Sequence, residues 1–501
     1  VSRVCTPGSE KCSEDFTKAL RCDATGTAFE TLALCDDDEA CQNGACVSSP
    51  TPLGEVVAVQ GAALALSPGR YAIAIVDGDA SGDDWIPYPV EITGSLSDPP
   101  IAPKSKSVTL PVSGASTMLW GRPALAETVV EEDGSPQDDG TRVFHVPDYH
   151  SGGTVTLARS AKLRATGQRV NLWEDQTTAM PGSQLPDSLL PDLLQRIDQA
   201  VIPRAASMIG VPTDVDGNGR IDILFTDVLP VEVAAFTYPS ATLFAPGSHA
   251  VTYDFGEVVY AHGVMGKPAW ETATLMSHEV AQLIYLGNRL APYLEDPSSV
   301  PGWVEADIYA VEGLASVAMG WSGQSWAWPA VTALENFGEM SLWRLTASSY
   351  LPDSLSNLAS YGFGTLVQEY LFDQAGAMVV KGGGLEDAGG LDYVQAFVAG
   401  ESGWDRLSPA DGRTRSEWYA DFATALLLLN LEGKVSAATA SDSRYAFAPT
   451  LLDDAYGGFI GPTLRYEDML DAVETGPILR PVGWSERPSQ LRRGGASWVV
   501  L

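Results

Sequence analysis

The sequence predicts a multidomain α+β protein. It divides into a small disulfide-rich N-terminal module (1–50), a β-sandwich-like domain (51–165), a mainly helical domain (166–435) and a small C-terminal β extension (436–501). Three observations predict this. All six cysteines fall in the first 46 residues. Short alternating apolar runs separated by Gly, Pro and Asp fill Leu53 to Leu163. Apolar residues at helical spacing dominate from Gln168 to Asn430. With 501 residues, 45% hydrophobic and 19% charged, the composition excludes a disordered chain and allows several cores.

The cysteines are Cys5, Cys12, Cys22, Cys35, Cys41 and Cys46. An even, dense set in a segment too small for its own core reads as a disulfide framework, and the spacing leaves the pairing open. C-x2-C pairs are absent, which argues against a zinc knuckle. Disulfides imply an oxidising compartment. The sequence starts at Val1 with neither Met nor leader, so a signal peptide is expected to have been removed and the protein to be secreted or at the cell surface. No apolar run reaches transmembrane length. The stretches CTPGSEKC and CQNGACV resemble small cysteine-rich modules common near the start of secreted myxobacterial proteins. Ser48 to Pro52 reads as a linker.

In the β region, YAIAIVDG, PVEITG, RVFHVP and TVTLARS alternate as half-buried strands do. Glu131 to Gly140 (EEDGSPQDDG) is an acidic, turn-rich insert, either a long hairpin loop or a boundary between β units. Leu189 to Ile209 then reads as a helix bent at Pro203. The stretch DVDGNGRIDILFTDV follows. Asp214, Asp216 and Asn218 alternate, Gly219 supplies a sharp turn and Asp222 stands at the ninth position, as in an EF-hand-type loop. Phe225 occupies the twelfth position, where a bidentate Glu belongs. The stretch is either a calcium-stabilised turn leading into a strand (Ile221 to Thr226) or an Asx-turn without an ion.

Glu271 to Gly320 reads as two helices joined by a Pro-rich loop. On the first, Met276, Val280, Leu283, Ile284 and Gly287 share one side, and His278 and Gln282 lie one turn apart. Glu279 is adjacent. The pattern is H-E-x-x-H with Gln282 at the second ligand position; in that motif two imidazoles hold zinc and the Glu is the general base. A Gln carbonyl oxygen is a neutral, weaker ligand than imidazole nitrogen. Glu312 follows on the second helix, where a third ligand would stand. The plainer reading makes His278, Gln282 and Glu312 polar residues of a semi-buried helix pair. Trp326 to Tyr350, Ser354 to Gly376 (with Leu366, Val367, Tyr370 and Leu371 on one face), Tyr393 to Val398 and Trp418 to Leu429 continue the helical region. The chain ends in β-like runs closing with ASWVVL.

Four pieces in one order, DVDGNGRIDILFTDV, TLMSHEVAQLIYLGNR, YAVEGLASVA and YGFGTLVQEYLFDQAG, together resemble hyicolysin-type zinc metallopeptidases, which are secreted gluzincins. The resemblance covers about Arg159 to Gly376. It implies that His278 is the first metal ligand, Glu279 the general base and Glu312 the third ligand, with Gln282 in place of the second His. Val311 replaces the family's Asn. Tyr361 would donate a hydrogen bond to an oxyanion. The activity implied is zinc-assisted peptide hydrolysis, with zinc held weakly or lost because of Gln282; His249 and His262 are the nearest histidines that could substitute.

The formal charge of −34 argues against nucleic acid and anionic membrane surfaces as partners. Three functions remain. The chain is a secreted pseudopeptidase that binds a protein or peptide partner, or other extracellular or surface proteins. Alternatively it is an active secreted zinc metalloendopeptidase with a variant His/Gln/Glu site, or a calcium-dependent surface protein.

Overall fold

A computed structural model describes residues 10–12, 18–25, 28–34, 39–42, 45–48, 72–77, 85–87, 115–116, 140–148, 155–177, 185–229, 233–245, 253–262, 268–305, 307–321, 333–334, 340–346, 354–381, 384–401, 404–407, 412–430 and 444, with short strands over 452–453, 459–460, 482–483, 490–492 and 496–500. Most of the expected linker, of the acidic insert and of the expected helix from Trp326 to Tyr350 lies outside the described residues. Two compact units result: 1–69 with 436–441, and 70–435 with 442–501.

The first unit contains a three-stranded antiparallel sheet, Glu10–Cys12, Lys18–Cys22 and Phe29–Leu34. A second pair, Glu39–Gln42 and Ala45–Ser48, flanks the Asn43-Gly44 dipeptide, and its register sets Cys41 opposite Cys46. Cys22 is buried, and no cysteine among the described residues is free.

The second unit mixes helices with a seven-stranded sheet. Its strands are β1 (Ala115–Ser116), β2 (Thr141–Pro147), β3 (Thr156–Thr166), β4 (Val170–Asp175), β5 (Ile221–Thr226), β6 (Val233–Thr237) and β7 (Val258–His262). Their order is β1-β6-β7-β5-β4-β3-β2. The centre, β4-β5-β7, is parallel, and β2-β3-β4 is an antiparallel meander. All six residues of β5 are buried, as a strand covered on both faces requires. Alternation sorts its side chains. Ile221, Ile223 and Phe225 join the large core on the helical face, and Leu224 joins a second core with Phe144, Trp173, Phe236 and Tyr260.

The expected boundary at 165 therefore cuts through the sheet. β2 and β3 lie in the stretch expected to form a β-sandwich-like domain, yet β3 pairs directly with β4 and β2 joins the same sheet through β3. In the C-terminal β extension, Ala496–Val500 pairs with Ala72–Val76, Gln490–Arg492 pairs with Trp85–Pro87, and Ala496 enters the large core. Alternation reports that a segment is a strand, not which strand it pairs with.

Between β4 and β5 the chain forms a helix over Leu190–Arg196, a π turn over Ile197–Val201 and a helix over Ile202–Ile209. The expected bend at Pro203 is displaced upstream. Pro203 stands in the first turn of the last helix, where its missing N–H costs least, and the wide π turn before it absorbs the lost bond.

Three helices build the large core's centre: the His278 helix (Ala269–Leu290), the Glu312 helix (Ile308–Trp321) and the Gly364 helix (Ser354–Ala375). The last two cross with their backbones in contact. A Cβ added to Gly313 would stand 2.2 Å from the Gly364 carbonyl carbon, and one added to Gly364 would stand 1.9 Å from the Tyr309 carbonyl oxygen. Gln368 Nε2 donates to the Ala310 carbonyl at 2.9 Å one turn further on. Among the described residues no helix is long and apolar enough to cross a membrane.

Gly364→Ala should therefore destabilise the second unit by about 3 kcal/mol or more, at or above the upper end of overpacking costs. Gly302→Ala, whose Cβ meets nothing within 4 Å, is the control and should be close to neutral. Denaturant unfolding of both variants checks this; wild-type stability for Gly364→Ala would refute the tight crossing.

Candidate functional site

The expected metal ligands converge. His278 and Gln282 project from successive turns of one helix towards Glu312 on the next. His278 Nε2 lies 2.7 Å from Glu312 Oε2, Gln282 Nε2 lies 2.7 Å from the same oxygen, and the two nitrogens stand 2.9 Å apart. A contact of 2.7 Å between nitrogen and carboxylate oxygen needs a hydrogen between them. The carboxylate is therefore the hub: it accepts from the Gln282 amide N–H and shares a proton with the His278 imidazole. His278 is 1% exposed, and Gln282 and Glu312 are 0% exposed. His278 Nδ1 and Gln282 Oε1 find no hydrogen-bond partner.

Glu279, the expected general base, is fully buried on the same helix. Tyr361, the expected oxyanion donor, is a buried residue of the Gly364 helix, and its ring packs 5.9 Å from that of Tyr309, three residues before Glu312. The start of the Glu312 helix is held unusually. Asp307 adopts φ 64°, its carbonyl accepts the Val311 N–H, and its carboxylate pairs with buried Arg406 at 3.0 Å. Arg406 also donates to Tyr285 Oη at 2.8 Å on the His278 helix. Arg289, near the end of that helix, donates to the Val398 and Gly400 carbonyls at 2.7 and 2.6 Å. These contacts fix the approach of the two helices from outside the triad.

As arranged, these residues do not fit zinc. Gln282 turns its amide nitrogen, which cannot ligate, into the cluster, and its one ligating atom, Oε1, stands outside these contacts.

The acidic loop divides differently from the expected ligand set. Asp214 Oδ1 accepts the Gly219 N–H at 2.8 Å, and Asp216 Oδ1 accepts the Asn218 N–H at 3.1 Å. Asn218 is spent on the turn: its Oδ1 accepts the Arg220 N–H at 2.5 Å and its Nδ2 donates to Asp216 Oδ2 at 2.6 Å. Gly217 and Gly219 take the positive φ values of 72° and 68° that the turn demands. Asp222 does not join them. Its carboxylate accepts from Arg142 at 2.5 Å, Asn171 at 2.8 Å and Trp173 at 2.9 Å, on the face of the sheet away from the helices. The reason is the onset of β5 at Ile221, which fixes Asp222 by pleat alternation rather than by the loop.

A residue with no sequence signature takes its place. Glu257, one residue before β7, has a carboxylate oxygen within 4.8 Å of oxygens from Asp214 and Asp216. Among the described residues this is the one group of three acidic, His or Cys side chains so arranged. Burial raises the Glu257 carboxyl above the usual carboxylate range, and burial likewise raises Asp216. Beneath the sheet, burial also raises Asp254, which accepts the His145 backbone N–H at 3.0 Å and the Tyr260 hydroxyl at 2.8 Å. Sequence reading missed Glu257, Arg142 and Arg406, since each acts on residues far away along the chain. Gly313 and Gly364 carried a readable signal: a glycine inside an apolar helical pattern marks close backbone approach. No family model matches the chain, and no curated protein matches its sequence.

Replacing Gln282 with Met removes a donor from a buried carboxylate at nearly constant volume. The expected loss is about 1–3 kcal/mol. Glu312→Gln in the same background should recover part of it, giving a measurable coupling in a double-mutant cycle. Additive losses would show that Gln282 and Glu312 do not share a bond.

Proposed function

We propose that this chain is a secreted or surface-exposed protein built on a gluzincin-like helix pair that has lost peptidase chemistry, and that it acts as an extracellular binding or structural module. The observation that carries the reading is the Gln282 amide. It stands where the resemblance to hyicolysin-type metallopeptidases expects an imidazole, and it donates to Glu312 beside His278, closing the triad as a hydrogen-bonded network. A working zinc site needs an open position for water and substrate. His278, Glu279, Gln282 and Glu312 are instead all buried. Metal-assisted peptide hydrolysis also needs a water held between a metal and a base, and the Gln282 N–H turned into the cluster offers such a metal no ligand atom. Secretion is supported by six cysteines confined to the first 46 residues.

Elemental mass spectrometry of the purified full chain tests the reading. The expected result is substoichiometric zinc, with Gln282→His raising zinc affinity by roughly tenfold or more as a second imidazole is restored. Stoichiometric zinc in the native protein, together with peptide hydrolysis abolished by Glu279→Gln, would establish the active His/Gln/Glu enzyme instead.

A further inference from the structure

Glu257 is an unusual residue to bury. It is 2% exposed, and its Oε1 accepts the Val215 N–H at 3.1 Å. Its Oε2 finds no hydrogen-bond partner. The Thr213 hydroxyl is near enough to favour the ionised carboxylate but stands outside hydrogen-bonding geometry, so Thr213 Oγ1 is also unpartnered. An ionised carboxylate oxygen in such a place is unfavourable unless a cation or a proton reaches it. Among the described residues, the side chains that meet it are not cations. They are the carboxylates of Asp214 and Asp216, with one oxygen from each of the three acids gathered within 4.8 Å.

Backbone geometry holds the three together. Gly256 adopts φ 136°, and a Cβ there would stand 2.8 Å from Asp216 Oδ2, so the turn before β7 admits the Asp216 carboxylate because that residue is glycine. The Asp222 N–H donates to the Glu257 carbonyl at 2.8 Å, fixing the turn before β7 against the start of β5. Gly287 of the His278 helix lets the Thr213 hydroxyl approach to 3.0 Å of where a Cβ would be.

We propose that Asp214, Asp216 and Glu257 bind a calcium ion that ties the loop before β5 to the turn before β7. The donor set is wholly oxygen, which selects a hard cation over zinc or copper. The unpartnered Glu257 Oε2 and Thr213 Oγ1 are the atoms such an ion would satisfy. Calcium accepts six to eight oxygens in flexible geometry, so three carboxylates with a hydroxyl and water suffice, whereas magnesium demands a nearly ideal octahedron. Asp222, expected as a ligand, takes no part because it lies on the other face of the sheet against Arg142, Asn171 and Trp173, and Asn218, also expected, holds the turn through the Arg220 N–H and Asp216. The proposal does not rest on the pseudopeptidase reading, since no residue of the triad takes part.

The test uses the full chain freed of metal by chelation, then titrated with calcium chloride by calorimetry and by thermal melting. The expected result is a saturable binding event and a melting temperature that climbs with free calcium. Asp214→Asn changes an exposed side chain, so it should fold normally, and it should weaken binding by roughly tenfold or more. Glu257→Gln should do the same, while Asp187→Asn, an exposed acid outside the cluster, should leave binding unchanged. Absence of calcium binding, or binding that Asp214→Asn leaves intact, would overturn the proposal.

Discussion

The crossing of the Glu312 helix and the Gly364 helix is the constraint on which the rest of the second unit depends. Gly313 and Gly364 allow the two backbones to touch, and no side chain larger than hydrogen fits at either position. Backbone contact of this kind fixes rotation as well as distance. Glu312, one residue before Gly313, is thereby turned about 100° from the crossing, towards the His278 helix. Asp307, held at positive φ and paired with Arg406, sets where the helix begins. Arg406 reaches Tyr285 on the His278 helix as well, so the same guanidinium holds both sides of the triad.

That geometry presents a buried carboxylate, and the residue facing it must answer the charge. An apolar side chain at position 282 would leave Glu312 with a single donor from the His278 helix, His278 itself, inside a core where lost hydrogen bonds are not replaced by water. A Gln provides an N–H at the needed distance without requiring a metal. Gln282 thus ties the two helices together through the buried carboxylate. Two atoms stay unpartnered, His278 Nδ1 and Gln282 Oε1.

The helices were legible because burial on one side gives each a periodic signature. Met276, Val280, Leu283 and Ile284 mark the His278 helix, which begins at Ala269, two residues before the expected Glu271. Leu366, Val367, Tyr370 and Leu371 are all fully buried in the Gly364 helix. The strands were legible as strands, but their partners were not. β2 and β3 alternate as any half-buried strand does, and nothing in TRVFHVP says that it belongs to the same sheet as IDILFT. His278, Gln282 and Glu312 were legible as a set because helical spacing and a known motif place them. Arg142 and Arg406 were not, because an ion pair between distant segments leaves no local pattern.

Asp222 and Glu257 show how sheet register decides what a loop motif can do. The spacing of an EF-hand-type loop assumes that the chain keeps turning until its ninth position. Here a strand begins at Ile221, and from there pleating governs direction. Ile221 and Ile223 face the helices, so Asp222 must face the opposite layer, where Arg142, Asn171 and Trp173 receive it. The same register supplies the substitute. Parallel pairing sets Asp222 against Val258, which places Glu257 beside Ile221. Val258 and Tyr260 face the second core while Val259 and Ala261 face the helices, so alternation carried one residue back turns Glu257 towards the helical face. The loop loses a carboxylate from its own sequence and gains one from the neighbouring strand, and a single parallel pairing accounts for both.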